Sequence, residues 1–124
     1  MTEDGTEPID GATFANLVEM TGGDLGFVDE LVDTYVEEGR SLVERLRAAV
    51  ADGSSDELLR AAHSLKSSSL NVGALALGEQ CRVVEAEARA GGVTDPAGAV
   101  EAIAAAFEEA RAALLAQRES RTPG

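Results

Sequence analysis

Apolar residues recur along the chain at the i, i+3, i+4 spacing of helices that bury one face, and glycines break the pattern at intervals. Five segments result. Asp10 is placed to cap a short helix through Phe14, Leu17 and Val18 that stops at Thr21-Gly22-Gly23. Its length suits a lid better than a bundle member. Asp24 opens a long helix whose apolar face runs from Phe27, Val28, Leu31 and Val32 through Tyr35, Val36, Leu42, Val43 and Leu46 to Val50. It ends at Asp52-Gly53, where Gly53 suits a left-handed terminator. Ser54 and Glu57 form a capping-box pair ahead of a third helix through Leu58, Ala62 and Leu65 to about Leu70, and Asn71-Val72-Gly73 breaks it. A fourth helix from Ala74 to Ala90 carries Leu75, Leu77, Cys81 and Val84 and precedes Gly91-Gly92. Thr94 or Asp95 caps a fifth, with Pro96 in its first turn and Val100, Ile103, Phe107, Ala110 and Leu114 along one stripe.

Four amphipathic helices of similar length joined by short loops predict an all-α fold, an antiparallel up-down-up-down four-helix bundle with a short N-terminal lid helix. The domain is expected over residues 9–117. Residues 1–8 and 118–124 are polar, lack apolar periodicity and carry proline or glycine, so both are expected to be flexible tails.

Composition supports this. A chain of 124 residues with 44% apolar and 3% aromatic content has room for one core, built through small aliphatic side chains. The net charge of −13 disfavours nucleic acid and anionic membrane as partners, because both require a cationic surface. No stretch approaches the roughly 20 consecutive apolar residues of a membrane span. Cys81 is the one cysteine, so no internal disulfide forms, and the expected home is the cytoplasm.

The candidate chemistry is narrow. His63 is the only histidine, no serine lies in a nucleophile-elbow sequence, and no glycine-rich loop is placed to hold ATP. One His and one Cys do not furnish a zinc site. Within the third helix, Leu58, Ala62, Leu65, Ser69 and Val72 share one face, and His63 points roughly 130° away from its centre. The imidazole is therefore expected in solvent, with Leu59 and Leu70 on its flank and Ser67 one turn along. By periodicity alone such a histidine is ordinary surface, and the two leucines fit a wide core arc as well as a docking role.

The surrounding string changes that reading. Residues 62–74, Ala-His-Ser-Leu-Lys-Ser-Ser-Ser-Leu-Asn-Val-Gly-Ala, closely resemble the phosphoacceptor motif of histidine phosphotransfer (HPt) domains, His-x-Leu-Lys-[Gly/Ser]-Ser-Ser followed by a small-residue break. Gly22-Gly23-Asp24, the segment Cys81 to Glu85, and Gly91-Gly92 look like further landmarks of that family, and the resemblance covers about residues 9–116. Ser67 stands where many members have glycine.

The resemblance implies that His63 accepts a phosphoryl group through Nε2 from the aspartyl phosphate of a receiver domain and relays it reversibly to another receiver. The domain would be a phosphocarrier without its own ATP site or cofactor, acting as a monomer, with magnesium supplied by the partner receiver. Lys66, three residues beyond His63, would reach the phosphoryl oxygens. Glu85, at a place where the family commonly has Gln or Glu close to the acceptor, would orient the imidazole through Nδ1–H. Leu59, Ser67, Leu70 and Arg82 are the candidate receiver-binding residues, Arg60 could add local positive charge, and Cys81 is expected in the core. The alternative is a non-catalytic bundle that binds receivers without taking phosphate.

Overall fold

The computed structural model describes residues 7–121. They form five helices: α1 (Gly11–Met20), α2 (Leu25–Asp52), α3 (Ser55–Val72), α4 (Leu75–Ala90) and α5 (Pro96–Arg121). The starts of α1, α2, α3 and α5 have a local cause. Asp10, Asp24 and Ser54 accept the backbone N–H of Thr13, Phe27 and Glu57, and Asp95 Oδ1 accepts that of Gly98 at 3.1 Å, which settles Asp95 over Thr94 as the cap of α5. Between α3 and α4 the chain turns in two residues. Gly73 sits at φ 92°, and a Cβ there would also lie 2.9 Å from the Asp10 carbonyl oxygen. Only glycine meets both demands. Asp10 N–H donates to the Gly73 carbonyl at 2.7 Å, and this bond pins the start of α1 to the α3–α4 turn.

The helices α2, α3, α4 and α5 pack as neighbours around a square, each against the one before and after it, and α5 closes against α2. Short turns make successive members antiparallel. Helix α1 lies outside the square against α3 and α2, as a lid. The centre is filled by Val28, Leu46, Leu65, Leu77, Ile103 and Phe107, all but fully buried. Tyr35 tilts against Phe107 with ring centroids 5.8 Å apart. No described helix is long and apolar enough to cross a membrane.

The C-terminal end departs from expectation. Helix α5 does not stop at 117: it continues to Arg121, and Arg118 reaches α2, where Nη2 donates to the Asp29 carbonyl at 2.8 Å and to Asp33 Oδ1 at 2.9 Å. The apolar stripe ends at Leu114, so hydrophobic periodicity carries no sign of this ionic anchor. Of the two expected tails, residues 1–6 and 122–124 lie outside the described residues.

Candidate functional site

Helix α3 sets the geometry of the site. Leu58, Ala62, Leu65, Ser69 and Val72 are buried, and the ring of His63 therefore emerges from the opposite side with its side chain 57% exposed. Beneath it, Tyr35 Oη and Ser69 Oγ share a buried hydrogen bond of 2.8 Å between α2 and α3. Burial pushes the Tyr35 hydroxyl up to about 12, so it stays protonated.

Helix α4 approaches α3 closely because position 78 is glycine. A Cβ on Gly78 would overlap Leu70, meeting Cγ at 2.9 Å. At this separation the next turns of α4 bring Glu85 beside His63. The Glu85 side chain is only 5% exposed, yet it is charged. Lys66 Nζ lies 2.7 Å from Oε1, while His63 Nδ1 at 2.8 Å and Arg89 Nη2 at 3.2 Å approach Oε2. The Lys66 ammonium and, after it, hydrogen bonds from His63 and Arg89 hold the carboxyl down at about 2 despite the opposing effect of burial.

This arrangement selects between the two tautomers of a neutral imidazole. An ionised carboxylate only accepts, so a neutral ring in this contact carries its hydrogen on Nδ1 and its lone pair on Nε2. One turn before Glu85, Cys81 is fully buried, and burial together with the Glu85 charge raises its thiol to about 12. It packs in the core, where a protonated thiol is a poor nucleophile.

Of the residues singled out in the sequence, His63, Lys66 and Glu85 meet in one cluster. Leu59 is half-buried and Leu70 is 41% exposed, so both lie along the border of core and surface. Ser67 is exposed one turn from His63. Arg82 directs its guanidinium to Glu79 at 2.9 and 2.6 Å, and Arg60 faces Glu57, so neither joins the cluster. Arg89 takes that place, four residues beyond Glu85, a spacing visible in the sequence.

Periodicity also leaves unseen a groove of about 490 Å3 between α1, α2 and α3, lined by Leu17, Met20, Leu31, Tyr35 and Asn71 among others. His63, Ser67 and Asn71 form an exposed row at four-residue spacing along α3, and the far end of that row borders the groove.

Residues 30–113 match the family model of the Hpt domain. The chain belongs to the Hpt domain family. The structure is also similar to the crystal structure of histidine-containing phosphotransfer protein B from Pseudomonas aeruginosa PAO1. The two superimpose with a TM-score of 0.83 at 28% identity, covering 95% of this chain and 99% of that one. No curated protein matches in sequence. As an Hpt domain, the chain is a histidine phosphotransfer protein of phosphorelays, an intermediate that interacts with receiver domains.

Proposed function

We propose that His63 is the phosphoacceptor and that it takes the phosphoryl group on Nε2 from a receiver aspartyl phosphate. The observation that carries this reading is the exposed imidazole whose Nδ1 meets a buried, ionised carboxylate. Nε2 attacks phosphorus, the bond between phosphorus and the aspartyl oxygen breaks, and the receiver carboxylate leaves with the electron pair. The Nδ1 proton stays on the ring, which becomes a phosphoimidazolium, and the carboxylate of Glu85 balances the new positive charge. Lys66, three residues along α3 from His63, would turn its ammonium to the phosphoryl oxygens. Discharge to a second receiver is the same step reversed. The receiver supplies magnesium and the acidic pocket, and this domain needs neither ATP nor a cofactor of its own.

The receiver docks over His63. Ser67 and the α1–α2–α3 groove offer a continuous path, small beside the imidazole and apolar beyond it, where Met20 is 82% exposed. Leu59 and Leu70 border the approach, and Arg82 stands exposed on α4. A monomer suffices, since every member of the cluster comes from one chain. A lone buried thiol suits the reducing cytoplasm, the setting proposed here.

The test is transfer from a phosphorylated receiver carrying labelled phosphate. Wild type should take acid-labile, base-stable label, and folded His63→Gln should take none. Label persisting in the variant would place the acceptor elsewhere.

A further inference from the structure

Lys66 has two competing claims on its ammonium. At rest its Nζ is 2.7 Å from Glu85 Oε1, and its side chain is 23% exposed. A phosphoryl group on Nε2 would draw the same ammonium outward. If Lys66 left alone, it would strip the first partner from a carboxylate that is 5% exposed, and a buried charge with reduced compensation is costly.

Arg89 is built to prevent that cost. It lies in the last turn of α4, one turn beyond Glu85, with its side chain 65% exposed and Nη2 already 3.2 Å from Oε2. A guanidinium is a planar fork, and Arg89 engages Glu85 through one prong only. Its other N–H groups leave it able to add a second bond to the carboxylate once Lys66 departs.

We propose that Arg89 is a positioning residue that takes over Glu85 and thereby frees Lys66 for the phosphoryl group. The exchange keeps Glu85 ionised and in contact with Nδ1 throughout. It rests on His63 being the acceptor. An i, i+4 pair at a helix C-terminus also stabilises α4, so the test must separate that contribution from the handover.

Phosphoramidate provides a donor that needs no receiver. Nε2 attacks its phosphorus, the P–N bond breaks, and the nitrogen takes a proton from water and leaves as ammonia. The rate of label at His63 is followed by 31P NMR in wild type, Arg89→Ala, Arg89→Lys, Glu85→Gln and the Glu85→Gln/Arg89→Ala double variant. Arg89→Ala should slow phosphorylation by roughly two- to fivefold, the scale of a largely exposed ion pair, and Arg89→Lys should recover most of it. In the Glu85→Gln background, Arg89→Ala should change nothing further, because no carboxylate remains to hold the ammonium or to need a replacement cation. Equal rates for Arg89→Ala and wild type overturn the proposal, as does the same slowing in both backgrounds. Absence of label on wild-type His63 overturns the acceptor assignment and this inference with it.

Discussion

His63 and Glu85 stand 2.8 Å apart with opposite exposures: the imidazole is 57% exposed and the carboxylate 5%. The pair joins a solvent-facing ring to a charge held away from solvent and kept in place by Lys66 and Arg89. In the proposed transfer, orientation comes from the buried partner and reactivity from the exposed one.

The Glu85 carboxylate should give the domain a defined acid sensitivity. Its value in the fold, about 2, lies below the ordinary 4.5, so the folded state binds this proton less readily than the unfolded chain. The stability contributed by the ionised group is complete above 4.5 and is lost as pH falls from there through about 2. Urea denaturation of wild type and Glu85→Gln should show the widest gap near neutral pH and a narrowing one across that window. A gap that stays constant down to about pH 2 would contradict the ion-pair origin of the shift. In the same variant, 15N spectra of the ring should show loss of the preference for hydrogen on Nδ1.

In the proposed docking, Ser67 borders the receiver's approach to His63. It lies exposed one turn from His63 and off the core stripe, so Ser67→Gln should leave helicity and melting nearly unchanged while reducing receiver binding or transfer. Circular dichroism and transfer kinetics on one preparation would check this. Unchanged kinetics in a folded variant would exclude this turn from the contact.

The bond between Tyr35 and Ser69 should behave as a unit. Both residues are buried, so removing one hydroxyl leaves the other without its partner. Tyr35→Phe or Ser69→Ala alone should each cost about 1–3 kcal/mol, and the double variant much less than the sum. Urea denaturation of the four proteins closes the cycle, and strict additivity would show that the hydroxyls do not depend on each other.

Much of the site was legible before any contact was known. The caps at Asp10, Asp24 and Ser54, the terminator at Gly53 and the outward direction of His63 follow from interactions within a few residues, and short-range patterns encode these well. Helix α3, by contrast, runs on to Val72, two residues beyond the expected end at about Leu70. Glu85 was reachable through its place in the motif-bearing helix pair. Arg89 was hidden only because its i, i+4 partner was not known to be the centre of the cluster.

What the sequence determined by itself is therefore the set of helices, the buried face of α3 and the residue that faces solvent from it, because helical periodicity is local chemistry. The tertiary structure decided the rest. Lys66 rests on Glu85, Arg82 turns to Glu79, and Arg118 binds Asp29 and Asp33 to carry α5 beyond residue 117. Long cationic side chains on this acidic surface have several carboxylates within reach. The choice among them depends on how closely the helices approach, as at Gly78 under Leu70, and on where α1 lies against α2 and α3. No repeat of apolar residues records those distances, since they arise only when separate helices share one core.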